Sequence, residues 1–206
     1  MSRATAFGLV LWFPDWSSFQ PGAYLLRRDV SHPAHALLFV KETVLPLPPA
    51  VVFAWHERPE ALMDLNPPWE SVELVKPGGS LAVGTTVILK GKLGPLPLLI
   101  EAEHVEYDPP RLFADRMNRG PFAYWYHRHW FLPVPHPNNP NGDPHAATLM
   151  RDEIAYLPPL GGLGRLLSPL MVERRLKRLF DYRHRKVAEA LGVIGTPAHH
   201  SRGSVE

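Results

Sequence analysis

The hydrophobic and polar positions of this chain follow two different periods, which separate a strand-rich stretch from one long helix. Between residues 38 and 157, apolar residues alternate with polar ones or form short runs bounded by Gly, Pro, Asn and Asp. This pattern predicts seven strands, at 38–45, 69–75, 85–93, 98–107, 112–118, 123–132 and 148–157. Prolines after the first strand predict two short helices, near 48–55 and 59–65, because proline is tolerated in a first helical turn.

The last predicted element is a long amphipathic helix. Ser168 is a suitable N-cap, Pro169 takes the first helical position and Gly192 follows the last turn. Apolar residues between them recur at helical spacing, at Val172, Leu176, Leu179, Phe180, Val187 and Leu191. One long helix against six or seven antiparallel strands predicts a two-layer α+β domain, whose sheet must curl around the helix to bury it.

The two ends of the chain lack these periods. We interpret residues 1–36 as an irregular N-terminal extension, 37–192 as one domain and 193–206 as a disordered tail. The apolar run at 6–13 is far shorter than the roughly 20 residues that span a bilayer, and it has no clear signal-peptide cleavage site. We therefore expect a cytoplasmic protein.

Composition narrows the chemistry. The 206 residues include no cysteine, which excludes disulfides and thiolate catalysis, and 24 prolines, which fall mainly between the predicted elements. Eight of the basic residues lie between 165 and 186, although the formal net charge is only +2. Most aromatic residues lie with the apolar segments and not in this basic run, so we expect no nucleic-acid partner. A basic amphipathic helix does allow transient contact with an anionic membrane.

Several short motifs, in a characteristic order, resemble one known superfamily. They are Asn66-Pro67-Pro68-Trp69, Glu106-Tyr107-Asp108-Pro109-Pro110, Gly120-Pro121-Phe122, Trp125-x-His127-x-His129-x-Phe131, Asp152-x-Ile154-x-Tyr156 and Phe180-x-Tyr182-Arg183. Over residues 37–191 the chain is similar to the START-like (SRPBCC) superfamily, in particular to its bacterial ligand-binding and polyketide cyclase-like members. The resemblance implies a helix-grip fold, with a cavity for one small hydrophobic ligand and no agreed set of catalytic residues.

His127 and His129 are the strongest local signal of chemistry. On one strand they project to the same face, because side chains alternate with a period of two. Asp152, on the next predicted strand, can approach either imidazole across the hairpin. A buried carboxylate needs a partner, so we expect a His–Asp pairing with a structural or ligand-orienting role.

The same residues leave two alternatives open. They could supply the acid and base of a polyketide cyclase or dehydratase, and a His-x-His pair could bind a metal with His104, Asp115 or Asp152 as third ligand. The spacing does not fix that third ligand, so we expect no metal and no cofactor.

Arg183 interrupts the apolar stripe of the last helix and needs a partner. Asp152 or Asp115 would serve, and so would an acidic group of a ligand. Gly161-Gly162-Leu163-Gly164 lacks the Lys-Ser/Thr of a phosphate-binding loop, so we interpret 158–167 as a turn or lid beside the cavity.

We favour a non-enzymatic carrier or sensor of a lipid, fatty acid, polyketide or isoprenoid. The alternatives are the cyclase or dehydratase and a protein-interaction module that uses the N-terminal extension. The predicted ligand-contacting residues are Trp125, His127, His129, Phe131, Asp152, Tyr156, Leu176, Phe180 and Arg183.

Overall fold

The computed structural model describes residues 30–93, 96–139, 141–158, 169–193 and 195–197. Most of the predicted N-terminal extension, the predicted lid from residue 159 onward and the end of the predicted tail lie outside the described residues. The elements are β1 (Leu37–Leu45), α1 (Pro49–His56), α2 (Ala61–Asp64), β2 (Glu73–Lys76), β3 (Thr86–Leu93), β4 (Leu96–Asp108), β5 (Leu112–Arg119), β6 (Tyr124–Val134), β7 (Ala147–Leu157), α3 (Pro169–Ala190) and β8 (Thr196–Pro197).

All the strands join one antiparallel sheet in the order β2-β3-β4-β5-β6-β7-β1-β8. The 22-residue helix α3 lies on one side of this sheet, and two short helices follow the first strand. The predicted α+β helix-grip fold is therefore confirmed. Among the residues that the structure describes, no helix is both long enough and apolar enough to cross a membrane.

Two elements differ from the predicted boundaries. Strand β2 begins at Glu73 instead of residue 69, because the chain turns after Pro67: the Glu70 amide donates to the Pro67 carbonyl, and the Asn66 side chain donates to the Glu70 carbonyl. The two-residue strand β8 pairs with β1 inside the segment that we expected to be a disordered tail.

Side chains pack on both faces of the central strands. On the helix side, Phe53, Phe113 and Phe131 form one cluster with α1 and the end of α3, and Phe39 packs with Phe180 in another. On the opposite side, a separate apolar cluster surrounds Trp130. The alternation along β6 thus places consecutive residues in different buried layers.

Candidate functional site

A cluster of polar side chains lies in the interior, where α3 crosses the middle of the sheet. Strand register builds most of it: Asp115 of β5 lies opposite His127 of β6, and His129 of β6 lies opposite Asp152 of β7. His184 of α3 completes the cluster from the helix side of the sheet. Three adjacent strands and one helix therefore fix five polar groups against one another.

Asp152 is the hub of this cluster. Its Oδ1 accepts hydrogen bonds from His127 Nε2 at 2.9 Å and from His129 Nδ1 at 2.8 Å. Its Oδ2 accepts from His184 Nε2 at 2.6 Å. The sequence predicted that Asp152 approaches either imidazole of β6; it contacts both, and both of its carboxylate oxygens are in use.

Asp115 closes the other side of the two imidazoles at longer distances. Its Oδ2 lies 3.3 Å from His129 Nε2 and 3.5 Å from His127 Nδ1. Each of the two histidines therefore directs one ring nitrogen toward Asp152 and the other toward Asp115. The result is a closed ring in which two carboxylates alternate with two imidazoles.

Burial and pairing act in opposite directions on these groups. Burial by itself would raise the pKa of Asp115, but hydrogen bonds from His127 and His129 hold that pKa well below its usual range. Burial would also raise the pKa of Asp152, but the attraction of His129 and hydrogen bonds from the imidazoles hold it well below 3.8. Burial would lower the pKa of His127, whereas the two carboxylates raise it to about 9. The cluster thus holds ionised carboxylates against a protonated His127.

His184 was not among the site residues predicted from the sequence. Its Nδ1 lies 2.8 Å from Thr43 Oγ1 on β1, and the side chain is 3% exposed. A signal was available, because His184 follows Phe180 by four residues and precedes Val187 by three, within the apolar stripe of the helix. A histidine at such a position needs a buried polar partner, and Asp152 supplies it.

The predicted ion pair of Arg183 with Asp152 or Asp115 is not present among the described residues. Its guanidinium carbon lies 5.1 Å from the centre of the Phe180 ring, and its buried Nε has no hydrogen-bond partner in the described part of the chain. Burial lowers the pKa of Arg183, while the charges of Asp152 and Asp115 raise it. The two carboxylates attract this cation without forming an ion pair with it.

Aromatic side chains pack against the two imidazole rings of β6. The His129 ring stacks on Phe113, with centroids 4.0 Å apart and planes at 16°. The His127 ring meets Phe180 edge-on, with centroids at 5.3 Å, and it has Trp125 at 6.2 Å. The other predicted ligand contacts, Phe131, Tyr156, Leu176 and Phe180, are buried core side chains. Their contact with a ligand stays a prediction.

A half-buried apolar wall adjoins the cluster on β3, β4 and β5. Pairing with Ala102 places Val87 and Met117 on the same face as Asp115, and the alternation continues this face to Leu89. None of these side chains is fully buried, in contrast to the core under α3. The wall meets the polar cluster at the more accessible members of the cluster. The side chain of Asp115 is 19% exposed, against 4% for His127.

His104 lies where the wall meets the cluster. It is the cross-strand neighbour of Asp115, and its Nδ1 is buried without a hydrogen-bond partner among the described residues. Burial lowers the pKa of His104, which favours a neutral ring with a free acceptor or donor nitrogen.

Residues 38–192 match the family model described as "Polyketide cyclase / dehydrase and lipid transport". The match spans most of the chain, and the chain belongs to this family. Membership supports a ligand-binding or cyclase-type role and agrees with the predicted superfamily. A search of curated proteins finds no significant match to this chain.

Solved structures with the same fold are distant in sequence. The Zhui aromatase/cyclase from Streptomyces sp. R1128 aligns with a TM-score of 0.55 at 16% identity, over 76% of this chain and 94% of its own. A START superfamily protein from Mycobacterium smegmatis aligns with a TM-score of 0.53 at 10% identity, over 76% and 97%. Norcoclaurine synthase from Thalictrum flavum aligns with a TM-score of 0.51 at 18% identity, over 75% and 87%. These likenesses establish the fold.

Proposed function

We propose that this protein binds one small amphiphilic molecule, of the lipid, fatty acid, polyketide or isoprenoid type, on the helix side of β3, β4 and β5. The observation that carries the proposal is the half-buried apolar wall that ends at an accessible polar edge, formed by Asp115 and His129. A molecule with an apolar body and one polar end matches that arrangement.

The wall differs from the rest of the interior in how it is covered. Under α3, Phe131 and Phe180 are each 1% exposed and already have their packing partners. Along β3 to β5, side chains such as Leu89 and Met117 keep apolar surface that a ligand would remove from water. Each buried methylene contributes about 0.8 kcal/mol, so a chain of several carbons provides useful affinity.

Arg183 supports an acidic polar end for this molecule. A partly buried guanidinium gains most from a charge-assisted, bidentate bond to a carboxylate or phosphate. No described residue pairs with its buried Nε, although two carboxylates are near enough to attract it. A ligand carboxylate would satisfy this cation without breaking the cluster around Asp152.

Native mass spectrometry after mild purification, together with titration by a fluorescent fatty acid, tests the proposal. Ala102→Trp places a large ring on the wall and should weaken probe binding at least tenfold. Ala54→Trp makes the same exchange on the exposed side of α1 and should bind as the wild type does. The proposal fails if no small molecule co-purifies and both variants bind the probe equally.

The polar end is tested separately. Arg183→Met should weaken binding of the fatty acid at least tenfold but leave the affinity for the alcohol of equal chain length unchanged. Equal losses for acid and alcohol would show that Arg183 acts only through packing.

A cyclase or dehydratase is the second candidate. It is favoured by His129, which faces Asp152 through Nδ1 and Asp115 through Nε2 at the accessible edge of the cluster. An imidazole between two carboxylates can take up and return a proton. Protein-dependent deuterium exchange at the methylene of a β-ketothioester, abolished by His129→Phe, would support this activity. Exchange at the buffer rate would rule it out for that substrate class.

A further inference from the structure

We propose that Asp115, His127 and His129 bind one divalent transition-metal ion. Their ligand atoms lie within 4.8 Å of one another on the accessible side of the cluster. The proposal does not depend on the amphiphile, because it concerns the metal alone.

The distances separate the two carboxylates into different roles. The hydrogen bonds of Asp152 to the two imidazoles measure 2.8 and 2.9 Å, as ordinary N–H···O bonds do. Asp115 lies 3.3 and 3.5 Å from the same rings, so its hydrogen bonds to them are longer than the usual range of about 2.7–3.2 Å. Ligand atoms at about 2.1 Å from a tetrahedral metal lie about 3.4 Å apart. The spacing around Asp115 therefore also fits ligand atoms around one metal ion.

Asp152 supplies the support that a metal site of this kind needs. Metal-binding histidines usually donate their second ring nitrogen to a carboxylate, which fixes the ring orientation and strengthens the ligand. Here Asp152 accepts hydrogen bonds from His127 Nε2 and His129 Nδ1, which leaves His127 Nδ1 and His129 Nε2 directed toward Asp115. The metal would replace the proton that His127 Nδ1 holds against Asp115, and this proton is released to solvent on binding. His184 and Thr43 in turn hold Asp152 in place.

His104 lies beside this group on the same face of the sheet, but it is not one of the three residues whose ligand atoms lie within 4.8 Å of one another. It neighbours Asp115 across the β4–β5 pair, and its buried Nδ1 is unpartnered within the described ranges. Imidazole nitrogens with one carboxylate suit Zn²⁺, Co²⁺ or Fe²⁺, and they do not suit Mg²⁺ or Ca²⁺, which prefer oxygen ligands.

Cobalt and zinc are suitable probes of the site in tag-free protein treated with a chelator and dialysed. We expect one Co²⁺ per chain, with the intense visible absorption of a four-coordinate ion, and displacement by one equivalent of Zn²⁺. Mass-spectrometric metal analysis after gel filtration gives the stoichiometry independently. Mg²⁺ at a hundredfold excess should not displace the cobalt.

Variants decide whether these residues are the ligands. His129→Phe and Asp115→Asn should each weaken Zn²⁺ binding at least 100-fold, and Asp152→Asn should weaken it about 10- to 100-fold. His145→Ala removes an exposed histidine and should change nothing. Circular dichroism shows which variants fold, and the nearly isosteric Asp115→Asn carries the test if His129→Phe does not. The proposal is overturned if the wild type shows no saturable binding below 100 μM metal, or if folded Asp115→Asn binds zinc as the wild type does.

Discussion

His184 Nε2 and Asp152 Oδ2 lie 2.6 Å apart, and this hydrogen bond joins α3 to the centre of the sheet. The same carboxylate accepts from two histidines of the neighbouring strand, so one side chain connects β6, β7 and α3. A structural hub of this kind is expected to contribute to folding stability whatever its role in binding.

Asp152→Ala should therefore be strongly destabilising. Removing one partner of a buried charged network typically costs about 3–5 kcal/mol, because the remaining charges lose their compensation. Urea denaturation at neutral pH measures the change in the free energy of unfolding. Asp143→Ala, in an exposed loop, is the control, and a loss below about 1 kcal/mol for Asp152→Ala would contradict this account.

A second buried ion pair lies on the opposite face of β6. Glu106 Oε1 accepts from Arg128 Nε at 2.7 Å and from the Tyr126 hydroxyl at 2.9 Å. Arg128→Met should cost about 3–5 kcal/mol because it leaves the Glu106 carboxylate buried without its cation. Adding Glu106→Leu should restore most of that stability.

The exposed ion pair of Arg116 with Glu103 is the control for the variants of Arg128 and Glu106. Its atoms lie at 3.2 Å but half of the arginine side chain is exposed, so its loss should cost far less stability than the loss of the buried pair. If the double variant Arg128→Met, Glu106→Leu were no more stable than Arg128→Met alone, the packing of the arginine stem would be the main contribution.

His56 should make stability sensitive to acid. Burial lowers its pKa from 6.5 to about 4, so the folded protein keeps this ring neutral while the unfolded chain protonates it. The stabilisation is complete above pH 6.5 and is lost as the pH falls toward 4, by about 3 kcal/mol in total. His56→Phe should remove this part of the pH dependence.

The measurement is the difference in unfolding free energy between wild type and His56→Phe at several pH values from 7.5 to 4.5. Effects of the other titrating groups cancel in that difference. A constant difference across this range would mean that folding does not lower the pKa of His56.

The solvent side of α3 tests the predicted contact with anionic membranes. Arg178 covers the Trp69 ring at 4.3 Å, and the first turns of α3 expose Leu170 and Met171 beside Arg174. Each basic residue near an anionic surface contributes about 1 kcal/mol, so Arg174→Glu with Arg178→Glu should weaken vesicle binding at least tenfold.

Sedimentation with phosphatidylglycerol-containing vesicles measures this effect. Lys90→Glu with Lys92→Glu reverses the same number of charges on β3 and is the matched control. Equal losses in both double variants would indicate an effect of net charge alone, without a membrane-facing surface.

The order and type of the elements could be predicted from the sequence, because alternation and helical spacing are local properties. Asp152 could be connected with His127 and His129 because a hairpin brings consecutive strands together. The exact cross-strand neighbours could not be predicted, because they depend on the register of the strands. Asp115 faces His127 only because β5 and β6 pair in the observed alignment. The apolar stripe of α3 allows both Arg183 and His184 to face inward, and only packing against the sheet brings His184 within hydrogen-bond distance of Asp152.

The two halves of the sheet differ in how completely their side chains are buried. In β6 both faces are buried, so almost every substitution there disturbs a core cluster or an ion pair. The wall on β3 to β5 is half covered, so a change of size at residues such as Val87 and Met117 should cost less stability than one in β6. Selectivity for the proposed ligand could therefore diverge along this wall while the polar centre and the fold stay the same, and redesign of binding would begin there.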